Sequence, residues 1–225
     1  MERMNERLTV PQLILIGAHG RNSGKTLLAC DIIEAYGARF PIYALKIIGI
    51  DRPGQECHRG KDGCGMCTRL TGAFELIEEG GSAAEKDTAR MLQAGAKRAY
   101  LLKSLKTCMF DAFADFLGRV PRDALIVCES NTLRKEVRPG VFLFAASKDG
   151  RMKPSARDVA GCADVTLAPG DTAAARRIRI IKNRHGSLSA VAARTEPDGR
   201  EALPRPIIDN ATLGAQKWQT DNRLN

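Results

Sequence analysis

The chain predicts an α/β fold in which a mostly parallel sheet is covered by helices on both faces. Three observations carry that prediction. Short, wholly apolar runs rich in Ile, Val and Leu alternate with longer amphipathic stretches. The first run passes through a Gly-containing loop directly into a helix-like stretch. The apolar fraction (44%) and charged fraction (27%) of the 225 residues are those of an ordinary globular protein. That length suits one domain over 1–225 with a sizeable core.

Taken in order, Leu13–Ile16 reads as a buried strand and Leu27–Ile33 as the helix after it. Pro41–Ile48 reads as a second buried strand. Residues 49–82 then interrupt the alternation. They hold eight of the 21 glycines and a cluster of cysteines, too many turn residues for a long helix. Within them, 73–78 fits a short strand or a helical turn. A helix follows over 84–94 with Gly95 as its stop, then a strand over 98–103. The clearest amphipathic helix is 107–117, where Met109, Phe110, Phe113, Phe116 and Leu117 recur at helical spacing and Gly118 ends the run. Strands are expected at 124–128, ending at Glu129, at 141–146 and at 165–167. Residues 171–184 fit a helix start followed by a strand. The tail over 204–225 is poorly determined, with one short helix expected near 211–218.

Parallel α/β sheets bind ligands beyond the carboxyl ends of their strands, so residues just past Ile16, Ile48, Cys128 and Ala146 are expected to converge on one rim. The first of these positions is the most informative. Gly17, His19, Gly20, Arg21, Asn22, Ser23, Gly24, Lys25, Thr26 and Leu27 link an apolar strand to a helix, the setting of a phosphate-binding P-loop. Small residues let backbone N–H groups turn toward phosphate oxygens, and the helix aims its own unbonded N–H groups at the same point. Lys25 is expected on the β- and γ-phosphates and the Thr26 hydroxyl on Mg²⁺. His19 stands where the usual pattern has Gly.

Two acids follow from the rim. Glu129 and Asp51 are each expected to orient Mg²⁺ or water at the γ-phosphate, with Lys25 the catalytic cation and Lys46 pairing with an acid or with phosphate. Arg21 is the nearest candidate for an arginine finger. GTP and ATP both remain open, because Ser147-Lys148-Asp149-Gly150 matches the guanine-reading Asn-Lys-x-Asp pattern only in part.

Cys57, His58, Cys64 and Cys67 form a second candidate site. The Cys-x6-Cys-x2-Cys spacing, with His beside the first Cys, suits Zn²⁺ or an iron–sulfur cluster completed by an outside ligand. The remaining four of the seven cysteines lie in apolar or helical settings and read as buried side chains.

No apolar run approaches the ~18–20 residues that span a bilayer, and the polar stretch Met1–Arg7 is not expected to act as a signal peptide. A cytoplasmic protein without a membrane partner is expected. A formal net charge of +9 favours anionic partners, but with 5% aromatic residues and dispersed cations a nucleic-acid surface is not expected.

Together, Gly20–Thr26, Lys46, Lys86-Asp87-Thr88-Ala89-Arg90 running into Ala94–Leu101, and Ile126–Glu129 resemble the MobB family of P-loop proteins, which serve molybdopterin guanine dinucleotide biosynthesis. Relatives of that family include nickel-insertion GTPases and dethiobiotin synthetase. The resemblance spans residues 12–147. It implies a Mg²⁺-dependent nucleotide-binding homodimer, with Lys25 and Thr26 at phosphate and metal and Glu129 as the strand-end acid. His19, the 50–82 insertion and Ser130-Asn131-Thr132-Leu133 depart from the family pattern. The function expected from all of this is a slow P-loop NTPase that assists assembly or insertion of a metallocofactor into a client metalloenzyme. Two alternatives stand beside it: a metal-delivery module with a regulatory nucleotide site, and a small-molecule kinase or ligase resembling dethiobiotin synthetase.

Overall fold

The computed structural model of the chain describes residues 7–20, 23–52, 70–81, 86–171 and 174–193. The chain divides into two compact units, Met1–Ala192 and Ala193–Asn225. Every strand and helix among the described residues belongs to the first unit. The expected C-terminal helix and the tail over 204–225 lie outside the described residues, as do Cys57, His58, Cys64 and Cys67.

Seven strands form one sheet. They are β1 (Leu8–Ala18), β2 (Ile42–Ile50), β3 (Phe74–Glu78), β4 (Arg98–Leu105), β5 (Leu125–Glu129), β6 (Val137–Ala145) and β7 (Val165–Leu167). Their order is β3-β4-β2-β5-β1-β6-β7. Every neighbouring pair is parallel except β3 with β4. The α/β class and the mostly parallel sheet are therefore as expected. The helices are α1 (Lys25–Gly37), α2 (Asp87–Gln93), α3 (Met109–Leu117) and α4 (Pro154–Ala160).

Side-chain alternation along the strands builds two cores. Ile14 and Ile16 of β1, Leu125 and Val127 of β5, and Val141 and Leu143 of β6 pack with Leu28, Ile32 and Ile33 of α1 and Met91 of α2. Leu13, Leu15, Ile126, Cys128, Phe142 and Phe144 point the other way, onto Phe113 and Phe116 of α3 and Val159 of α4. A strand apolar at every position is one buried on both faces. This is why the apolar runs read from the sequence belong to the sheet centre.

Several boundaries differ from the sequence reading. β6 begins at Val137, four residues before the expected start, because Arg138 and Pro139 interrupt its apolar run while still pairing with Thr9 and Val10. α3 is preceded by a 3₁₀ turn, Lys106–Cys108, so the 107–117 periodicity covers two kinds of helix. The 73–78 segment is an edge strand, β3, running antiparallel to β4. The seven residues of α4 are too few to show a helical period. Pro154 in its first turn, where a missing N–H costs nothing, is the one sequence signal for it.

A two-stranded antiparallel ribbon, β8 (Ile178–Lys182) with β9 (Leu188–Ala192), completes the unit. Ile178, Leu188 and Ala190 join the α1-side core, and the Tyr36 hydroxyl of α1 donates to Ile178 O at 2.6 Å. Among the described residues no helix is long and apolar enough to cross a membrane.

Candidate functional site

Register and parity assemble the site. Lys46 on β2 and Ile16 on β1 both align with Glu129, the last residue of β5. Glu129 shares the parity of Leu125 and Val127, and Lys46 that of Ala44, so both side chains emerge on the face covered by α1 and α2. There they meet Thr26, from the first turn of α1, and Asp87, the first residue of α2. The Thr26 hydroxyl donates to Asp87 Oδ1 at 3.1 Å. The Lys46 ammonium donates to Asp87 Oδ2 and, at 3.4 Å, to Glu129 Oε2.

Glu129 is 2% exposed, and its other oxygen, Oε1, is buried with no hydrogen-bond donor among the described residues. A buried carboxylate oxygen without a partner is costly. It marks a position that suits a cation or a donor brought in by a ligand. Burial alone would lower the Lys46 pKa, but the charges of Glu129 and Asp87 and the hydrogen bonds to them hold it above the ordinary lysine value. Burial would likewise raise Asp87. The Lys46 hydrogen bond and charge, with the Thr26 hydroxyl and Arg90, hold it below the usual carboxylate range.

The loop before α1 lies against this cluster. Gly24 takes φ 80°, a left-handed turn that admits glycine freely, and as the N-cap residue of α1 it offers the helix no side-chain cap. The Lys25 ammonium reaches back to donate to Gly20 O at 3.0 Å, and the Gly20 N–H donates to Ser23 Oγ at 3.2 Å. Burial lowers the Lys25 pKa, with Lys153 and Lys46 adding to the effect and Glu129 and Asp87 opposing it. Leu27, on the outer side of the first turn, is exposed. Arg21 and Asn22 lie outside the described residues.

The other sequence-expected residues find definite places. Gly17 is a close approach: a Cβ there would stand 2.8 Å from the Phe142 ring and 3.0 Å from Asn131 Oδ1. His19 packs on Phe144, and its Nδ1 accepts from Ser147 N at 3.3 Å, so it ties the loop to the end of β6. Asp51 is not brought to the cluster. It lies five residues beyond Lys46, about 16 Å along an extended chain, and pairs with Lys106 at 2.6 Å. The acid that stands beside Thr26 is Asp87 instead.

Two contributors escape a reading of the sequence for site residues. Asp87 has a signal, since an acid opening a short helix in Lys86-Asp87-Thr88 is part of the family resemblance. Asn131 has none. Its side-chain amide accepts from Ala18 N and donates to Ala18 O, both at 2.9 Å, clamping the end of β1 where the loop begins. Beside the loop, Gly20, Ser147, Asp149, Arg151, Met152 and Lys153 line a cavity of about 250 Å³. Lys153 N donates to His19 O at 2.9 Å, holding that wall to the loop.

Fold and rim together define an α/β protein with two lysines, a hydroxyl and two carboxylates at the carboxyl edge of its sheet, beside the N-terminus of α1. Compared with known protein families, characterised proteins and solved structures, the chain finds no match.

Proposed function

We propose that this rim binds a nucleoside triphosphate with Mg²⁺ and that the loop over 17–27 is a P-loop. The observation that carries the reading is the meeting of Thr26, Asp87 and Glu129, with Glu129 Oε1 buried and lacking a donor among the described residues, next to Lys25 and the start of α1. Mg²⁺ dehydrates reluctantly and is usually held by one or two carboxylates together with substrate phosphates. Two carboxylates and a hydroxyl are such a donor set. Among the described residues no three His, Cys, Asp or Glu side chains gather; the remaining ligands of this ion come from phosphate and water. The bound ion would neutralise phosphate charge.

The chain's own groups do the rest. Lys25 and the first N–H groups of α1 hold the terminal phosphates, and Asn131 fixes the loop that carries them. The cavity lined by Gly20 and residues 147–153 suits the nucleoside end, as GTP or ATP. The protein is, on this reading, a slow NTPase of the MobB type acting as an accessory factor in metallocofactor assembly or insertion, with a metalloenzyme or assembly protein as client. A homodimer and a Zn²⁺ or iron–sulfur ligand set at Cys57, His58, Cys64 and Cys67 belong to the same proposal.

Lys25→Ala tests it. Losing a charge-assisted contact worth about 1.5–3 kcal/mol should weaken binding of Mg²⁺-GTP or Mg²⁺-ATP about 10- to 150-fold by calorimetric titration. Unchanged affinity in a folded variant would remove the phosphate-loop assignment.

A further inference from the structure

The cation already seated among the carboxylates is Lys46, and its position has consequences for how ligands enter. Its ammonium bonds both Asp87 and Glu129, and Asp87 also accepts the Thr26 hydroxyl hydrogen bond. These are the same three groups that the reading above assigns to Mg²⁺. Two carboxylates and one ammonium leave a single net negative charge, with the Lys25 ammonium close by. A divalent ion entering alone would face two lysines across a short distance, and the repulsion is strong in a partly desolvated site. A polyphosphate changes that balance. It brings several negative charges and gives the Lys46 ammonium somewhere else to go.

We propose that Lys46 is an exchangeable counter-ion which couples metal and polyphosphate binding. It holds the Asp87–Glu129 pair when neither ligand is bound. It moves onto phosphate oxygens when the two enter together, so each ligand binds poorly without the other. This rests on the phosphate-site reading. It goes beyond that reading by assigning Lys46 the role of excluding free divalent cations, a role distinct from simply binding phosphate.

The coupling is tested by equilibrium binding, with no turnover needed. Mn²⁺ serves as the probe, its free concentration read by electron paramagnetic resonance, with and without a non-hydrolysable GTP or ATP analogue. In the wild-type protein the analogue should tighten Mn²⁺ binding about 10- to 100-fold, a usual size for coupling between sites. Lys46→Gln should bind Mn²⁺ alone about tenfold more tightly than wild type and lose most of that coupling. Lys46→Arg, which keeps the charge, should stay near wild type. Adding Glu129→Gln to Lys46→Gln should cancel the gain.

The proposal is overturned if Lys46→Gln binds free Mn²⁺ no better than wild type while the analogue still binds. The wild-type measurement stands even if the Gln variant fails to fold: Mn²⁺ affinity independent of the analogue rules the coupling out. If the wild-type protein binds neither analogue with Mn²⁺ present, the phosphate-site reading itself fails, and this proposal falls with it.

Discussion

Glu129 shows how much one residue's place depends on its neighbours' parity. In an apolar strand, an acid at the last position faces whichever core its parity dictates. With Leu125 and Val127 on the α1 side, Glu129 is delivered to Lys46, which also bonds Asp87. That much is legible in the sequence, because strand parity and the carboxyl-edge rule are local properties of the chain. Asp51 obeys the same rule of thumb and misleads, since β2 runs on to Ile50 and carries the acid past the site to Lys106. Asp87 supplies the second carboxylate because α2 begins opposite Thr26, a tertiary fact that no strand-end rule signals.

The approach to α2 is itself anchored by a residue-scale contact. Glu79 Oε2 accepts from the buried Thr88 hydroxyl at 2.7 Å, and Oε1 accepts from Gly81 N at 3.1 Å. The Thr88 hydrogen bond is the chief cause holding Glu79 below its ordinary carboxyl value. A carboxyl depressed on folding contributes stability above its unfolded pKa, near 4.3, and loses it as pH falls through the lower folded value. Thr88→Val, close in shape but without the donor, should therefore raise the Glu79 midpoint seen by NMR. The stability gap between wild type and variant should be widest above about pH 5 and narrow as the pH falls below that range. A Glu79 midpoint that stays put would show that the hydroxyl does not set it.

At the scale of elements, the sequence reveals the apolar strands and the best helix, and only in part the pieces defined by their partners. β3 is half exposed and belongs to the sheet only through β4. β8 answers the strand expected at the end of 171–184, whereas no strand is expected at β9; the pair is fastened by Tyr36 and by packing of β9 on β1 and β6. Gly140 marks that packing. A Cβ there would collide with Pro11 O and lie 2.5 Å from Ala190 O, both backbone atoms on flanking strands that cannot turn aside. The β1–β6 register shifts between Val10 and Ile14, so the close approach falls where the two strands are already irregular. Gly140→Ala should destabilise the fold by about 3 kcal/mol, the upper end for an overpacked site. The denaturant midpoint should fall while the slope changes little. Gly161 is the matched control, with φ −67° and open space where a Cβ would stand. Gly161→Ala should be neutral or stabilise by less than about 1 kcal/mol.

For the whole molecule, the decisive property is where charge has been gathered. The formal net charge of +9 gives a general attraction for anions, yet the site itself pairs Lys46 with Asp87 and Glu129 rather than leaving a bare basic patch. On the reading proposed above, such a site would select ligands that bring both signs, as a metal–polyphosphate does. Global stability should report this directly, because a ligand that binds only the folded state stabilises it by mass action. At a hundredfold excess over Kd the gain is about 2.7 kcal/mol. For a unit of this size it should raise Tm by about 5–10 °C. The rise should appear with Mg²⁺-GTP or Mg²⁺-ATP and shrink when a chelator removes the metal. It should be absent for Mg²⁺ alone, since Lys46 then keeps the carboxylates. An equal rise with Mg²⁺ alone would mean that the carboxylates take the ion without phosphate. No rise with either nucleotide at millimolar concentration would leave the rim without the ligand its geometry fits.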